Sequence, residues 1–156
     1  MRLLAMWLAL GLSGAAHAVP VGVLNNNPGN LRSTHPERYH NCIGVDERGF
    51  MKFKRPIDGV RAMVINLKCY GSKHHIHTVE GVVCRWLSAD GSKHTRSDYC
   101  KFIRQETGFR SNQRINLQNA KTLEAISRAI AHYENGYQPY TEKLWRRVFP
   151  FSYTPR

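Results

Sequence analysis

Acidic side chains are scarce in this sequence: 11 Asp and Glu stand against 23 Lys and Arg, for a formal net charge of +12 at pH 7. A surface so biased suits an anionic polymer, whether nucleic acid, an acidic membrane face or the carboxylate-bearing bacterial wall. Long apolar runs are missing beyond residue 12, so no later segment is expected to insert stably in a bilayer. There is no C-x-x-C spacing, which argues against a zinc ribbon or a thioredoxin-type site. A basic stripe interleaved with aromatics is also absent, which argues against nucleic acid as the partner. Internal repeats, low-complexity stretches and linkers are lacking too. One small domain is the reading.

The N-terminus carries Met1-Arg2, an apolar run from Leu3 to Leu12, and Ala16-His17-Ala18. A short positive region, a hydrophobic stretch and an A-x-A site are the parts of a cleavable export signal. Residues 1–18 are therefore expected to be removed, leaving a single domain over 19–156 in the periplasm or outside the cell. All four cysteines, Cys42, Cys69, Cys84 and Cys100, fall in that remainder. An even count in an oxidising compartment predicts two disulfides, with the pairing left open among three connectivities.

Residues 19–55 read as irregular or β-rich, with strand-like alternation in Gly49-Phe50-Met51-Lys52-Phe53. From Pro56 the period becomes helical: Val60, Met63, Val64, Leu67 and Tyr70 share one face, and Gly71 is a stop signal. Thr78 is a good N-cap for a second helix carrying Val79, Val82, Val83, Trp86 and Leu87. Thr95-x-x-Asp98 has the form of a capping box opening a third, closed by Gly108. Asn119 and Gly136 bracket a fourth, striped by Leu123, Ile126, Ile130 and Tyr133. A last short helix is expected over Glu142 to Val148. The predicted class is mainly α, of the α+β kind, with a small β element.

Two segments carry chemistry. Asn25-Asn26-Asn27-Pro28-Gly29-Asn30-Leu31-Arg32 gathers amides around a Pro-Gly turn, where Asn side chains bond to nearby backbone or to a ligand. Ala131-His132-Tyr133-Glu134-Asn135-Gly136-Tyr137-Gln138-Pro139-Tyr140 puts a carboxylate in the last turn of an apolar helix. A carboxylate there faces the negative end of the helix dipole, and burial against Tyr133 or Tyr137 further favours its neutral form. A raised pKa is what a general acid needs to protonate a glycosidic oxygen. A histidine group, His74-His75-x-His77 with His94, matches no H-E-x-x-H helix and has no acidic ligand beside it. No metal and no cofactor are implied.

Together these motifs resemble a family of small phage-associated and bacterial proteins, described as virion structural proteins and associated with wall degradation. Its pattern begins with an R-N-N-N-P-G-N-[IL]-R-like segment and ends with H-E-N-G-x-Q-P-Y. Between them come F-x-x-F, G-[IV]-R-A and a T-[VI]-x-x-[IV]-[IV]-x-[RK]-W helix. Asn25 to Arg32, Phe50 to Phe53, Gly59 to Ala62, Thr78 to Trp86 and Tyr133 to Tyr140 supply these pieces in order. The sequence departs from the pattern at Val23-Leu24, at Cys42-Ile43 and over Leu87 to Gly91. A looser similarity links the same pieces, in rotated order, to flagellar-type glucosaminidases, as in a circularly permuted lysozyme-like domain.

The resemblance implies a peptidoglycan glycosidase of lysozyme or lytic-transglycosylase type, with Glu134 as general acid. Asn26, Asn27, Asn30, Arg32 and Asn135 would bind glycan hydroxyls and acetamido groups, and Gln138 would assist them. Tyr133, Tyr137 and Tyr140 would stack on sugar faces. Asp46, Glu47 and Asp90 are the candidates for any second carboxylate. The alternative is a non-catalytic peptidoglycan-binding module, carried by a phage particle or a secretion apparatus, which needs the same groove and no acid.

Overall fold

The structure is a computed structural model describing residues 18–87 and 93–150. The export-signal reading of residues 1–17 and the candidate acid Asp90 lie outside the described residues, as does the His94 side chain. Six α-helices and one two-stranded sheet make up the described chain. In order these are α1 (Val21–Leu24), a 3-10 turn (Pro36–Arg38), β1 (Cys42–Val45) and β2 (Met51–Phe53), then α2 (Pro56–Lys73), α3 (Val79–Trp86), α4 (Lys93–Thr107), α5 (Ala120–Asn135) and α6 (Glu142–Val148). The fold is mainly α with a small antiparallel sheet.

Local chemistry sets most boundaries. Pro56 opens α2, where its fixed φ suits a helix and its missing N–H would have no partner. The helix runs past the expected stop at Gly71 to Lys73, because Gly71 is used for packing: a Cβ there would come within 3.1 Å of Leu117 Cβ. Thr78 Oγ1 accepts from the Gly81 N–H at 3.1 Å, and Asn119 Oδ1 accepts from the Thr122 N–H at 3.1 Å. These caps satisfy donors that the first turns of α3 and α5 leave open. Gly136 ends α5 in the left-handed conformation, φ 75°. The third helix differs from expectation. It begins at Lys93, so Thr95 and Asp98 lie inside its first turns instead of capping it; neither Lys nor His opposes that extra length.

β1 and β2 pair antiparallel, Cys42 with Phe53 and Val45 with Met51, with an irregularity between Cys42 and Gly44. Along β2 the expected alternation holds, Met51 and Phe53 buried and Lys52 exposed. That strand packs its inner face on α2. α5 lies between α2 and α4 and also touches α1, while α3 packs on α4 and α6 on α2. Trp145, Tyr99, Phe53, Met63, Leu67 and Ile130 are among the fully buried side chains at the centre.

The two expected disulfides are not formed in this structure: all four cysteines are free. Their sulfurs sit in different environments. Cys100 is buried in the core, Cys84 faces solvent, and Cys42 and Cys69 are half-buried; the Cys42 Sγ lies 3.4 Å from the Gly44 carbonyl of its own strand. Apolar packing closes the core without them.

Candidate functional site

The asparagine segment is a turn built by its own side chains. Asn26 and Asn30 adopt positive φ, 52° and 49°, a region that Asn tolerates better than other residues with a Cβ. Asn27 is fully buried and binds only backbone. Its Nδ2 donates to the Leu31 and Met51 carbonyls, each at 2.9 Å, and its Oδ1 accepts from the Leu31 N–H at 2.9 Å. Asn26 Nδ2 donates to the Phe53 carbonyl at 2.9 Å. These bonds fasten the turn to β2. It also presses on two helices where no Cβ fits: a Cβ on Gly59 would lie 1.8 Å from the Asn26 carbonyl oxygen, and one on Gly29 would lie 2.5 Å from the Trp86 ring.

The other end of the chain meets this turn. Asn135, at the end of α5, donates through Nδ2 to the Pro28 carbonyl at 2.8 Å and to Ala131 at 2.7 Å. One position earlier, Glu134 receives Asn30 Nδ2 on Oε2 at 3.0 Å and the Tyr99 hydroxyl on Oε1 at 2.9 Å. The Trp86 side chain, through its indole N–H, also donates to it. Burial pushes the Glu134 carboxyl above its ordinary range, and outweighs the donors Asn30, Tyr99 and Trp86, which pull it down. Tyr99 itself is held well above the usual tyrosine range by burial and by the carboxylate it serves. Its ring stacks on Tyr133, centroids 3.7 Å apart, and Phe102 meets the edge of Tyr133.

A cleft of about 400 Å³ opens over this acid, walled by Gly29 to Arg32, Phe50, Asn66, Tyr70, Arg85, Trp86 and Leu87. Among those walls Glu134 is the one carboxylate. A larger cavity of about 750 Å³ lies between the 3-10 turn and α2. Its acid, Asp58, is held below the ordinary carboxylate range by the Arg55 guanidinium, with bonds of 2.8 and 2.9 Å. An ionised, paired carboxylate cannot donate a proton, so the smaller cleft is the better candidate for acid catalysis.

Of the expected ligand-binding residues, the structure brings Asn30 and Arg32 to the cleft with Glu134. The others stand elsewhere. Asn27 and Asn135 are buried and spend their amide donors on backbone, and Asn26 does the same from a half-buried position. Tyr133 packs on Tyr99 and Phe102. Tyr140 packs against Trp145, and burial raises its pKa. Tyr137 is exposed and Gln138 donates to the Arg128 carbonyl at 3.3 Å, both beyond the cleft walls. These positions follow Gly136, whose left-handed backbone turns the chain away from the helix end.

Asp46, a candidate second acid, organises the β1–β2 turn. Desolvation pulls its pKa up, but donors at Phe50 N–H, the Asn25 amide and Arg48 N–H hold it below the ordinary range. Glu47 is exposed and does not line the cleft. Among the described residues no group of three or more His, Cys, Asp or Glu could hold a metal ion; His74 lies 2.9 Å from an Arg85 nitrogen. No described helix is long and apolar enough to cross a membrane.

Sequence reasoning missed Tyr99, Asn66, Tyr70 and Arg85 as parts of this site. Arg85 and Trp86 had a signal, since together they close a recognisable helix motif. Tyr99 is 35 positions from the acid it touches, and no spacing rule links them.

The chain is 30% identical over 135 residues to Protein P5 of Pseudoalteromonas phage PM2, covering 85% of this chain and 81% of that protein. It belongs to the Protein P5 family. No protein-family model matches it. The match covers most of this chain.

Proposed function

We propose that this member of the Protein P5 family is a peptidoglycan glycosidase, with Glu134 as its general acid. One observation carries the reading. A carboxyl group on the last turn of α5, with its pKa raised by burial, opens into a cleft between the asparagine turn and Trp86. Glu134 would give its proton to the bridging oxygen between two aminosugars as the C1–O bond breaks, leaving an oxocarbenium-like centre. Asn30 positions the acid from the turn side, and Tyr99 and Trp86 position it from the helices.

Among the described residues the cleft offers no second carboxylate in its walls. That favours the lytic-transglycosylase form of the reaction over a two-carboxylate mechanism. In that form the ionised Glu134 takes the proton of the sugar's own C6 hydroxyl as that oxygen closes on C1, giving a 1,6-anhydro end. The permuted lysozyme-like arrangement belongs to the same proposal. It is supported by the N-terminal turn meeting the end of α5, in bonds that join residues 104 and 107 positions apart. Export to the periplasm or beyond places such an enzyme beside its substrate, and the phage origin of the relative accords with work at a bacterial boundary.

The test is incubation of purified sacculi with the protein and with Glu134→Gln, followed by mass spectrometry of the soluble products. Anhydro-ended muropeptides are expected, with the variant slower by about 10²- to 10⁴-fold. Equal release by both proteins would remove Glu134 from the chemistry. Sacculus binding without any release would turn the reading to a wall-binding module.

A further inference from the structure

The cleft that holds Glu134 has a cationic rim. Arg32, just after the asparagine turn, lies with its guanidinium carbon 4.3 Å above the Phe50 ring. Arg85, in the last turn of α3, lies 5.3 Å above the Tyr70 ring, with one nitrogen 2.9 Å from His74 Nε2. Both line the cleft beside Glu134. Neither takes part in a carboxylate ion pair among the described residues. The chain has carboxylates for other arginines: Arg55 pairs with Asp58, Arg104 with Glu80, and Arg128 with Glu124 and Glu142.

A guanidinium held over a ring by cation–π attraction is restrained in place, while its remaining N–H groups stay available to a carboxylate. The groups that favour the ionised form of Glu134 are the neutral donors Asn30, Tyr99 and Trp86, so the rim cations do not compensate the acid. A cation in contact with it would draw off the proton that the reaction needs. Two cations on aromatic seats, apart from the acid and with no carboxylate partner among the described residues, match negative charge on the substrate.

We infer that Arg32 and Arg85 take the carboxylates carried by muramyl sugars, so that the cleft selects these over neutral N-acetylglucosamine polymers. The inference rests on reading the cleft as a glycan site. The carboxylate has two sources, the lactyl group of the sugar itself and the peptide attached to it. Chitin offers neither.

The experiment uses the full chain carrying Glu134→Gln, titrated calorimetrically at low and at high salt. Three tetrasaccharide ligands are compared: chitotetraose, a peptide-free dimer of the GlcNAc–MurNAc disaccharide, and the same dimer with tetrapeptides attached. The anionic ligands are expected to bind roughly ten-fold tighter than chitotetraose at low salt, as charge-assisted bidentate bonds do, and the preference should shrink at high salt. A preference for the peptide-free dimer assigns recognition to the lactyl carboxylate; a preference only for the peptide-bearing one assigns it to the peptide. Arg85→Gln and Arg32→Gln, each in the same background, should bring the anionic affinity down toward that for chitotetraose. Equal affinity for all three ligands, no binding of any, or a preference indifferent to salt overturns the inference, whether or not the arginine variants fold. A charge-dependent preference without sacculus cleavage by the unmodified protein would sink the glycosidase and leave this inference standing. Cleavage of chitotetraose as fast as the muramyl dimer would do the reverse.

Discussion

Removing one hydroxyl group from the core should move the pH at which this protein stops working. Tyr99 is fully buried, and its hydroxyl donates to Glu134 Oε1 at 2.9 Å. A hydrogen bond to a charged acceptor contributes about 1.5–3 kcal/mol, one to a neutral acceptor about 0.5–1.5 kcal/mol. Tyr99→Phe therefore removes roughly 1–1.5 kcal/mol of preference for the ionised acid, which corresponds to about one pH unit. Burial already holds the Glu134 carboxyl above its ordinary value of 4.5. Activity that needs the proton is lost as pH rises through the folded value, so the alkaline limb of the rate profile should move up by about one unit in the variant. The assay is release of soluble muropeptides from sacculi across a pH series.

A second readout does not depend on turnover. The unfolded chain ionises at the ordinary value while folded Glu134 still keeps its proton, so this group's contribution to stability falls as pH rises between the two values. Tyr99→Phe should carry that fall further toward alkaline pH in thermal melts. An alkaline limb that stays in place, or moves down, would refute the account of how Glu134 holds its proton.

Three other perturbations test the scaffold. Asn27→Ala should cost roughly 3 kcal/mol or more in urea unfolding, because it strands the Leu31 N–H and two carbonyls in a buried turn; a loss under about 1 kcal/mol would mean water replaces the amide. Gly59→Ala drives a Cβ to 1.8 Å from the Asn26 carbonyl oxygen, so a clear drop in melting temperature is expected, with a cost of about 1–3 kcal/mol or more. An unchanged melting temperature would show that the turn can move off α2. Arg55→Ala leaves the buried Asp58 without its main partner. Asp58 is depressed below 3.8, chiefly by Arg55, so the pair stabilises at neutral pH and that contribution fades as pH falls through the depressed value. The variant should therefore be less stable near pH 7, with a gap to the unmodified protein that narrows in acid. A gap of constant size would place the effect in packing alone.

Helix boundaries were legible wherever a cap or a period wrote them locally. Thr78, Asn119 and Gly136 act where the sequence puts them, and α6 covers the expected Glu142–Val148. α1 was not legible, since four residues are too few to show a period. The extra turn of α2 was hidden because Gly71 is a stop signal locally and a packing position in three dimensions. Aromatic and amide content around Glu134 pointed toward a site, but it did not separate Asn30 from Asn27. Both amides suit a turn equally; only burial tells which one faces the cleft.

What the residues alone determined is the set of local, short-range facts: a mainly helical domain, an amide-rich turn, and a glutamate in the final turn of an apolar helix. These follow from interactions within a few positions of each other. Tertiary packing decided the rest. It set Tyr99 and Trp86 on the acid, left Asn27 and Asn135 as fasteners, and gave Arg32 and Arg85 aromatic seats at the rim. A proton is held against water only by burial, and burial is a property of the whole packed chain.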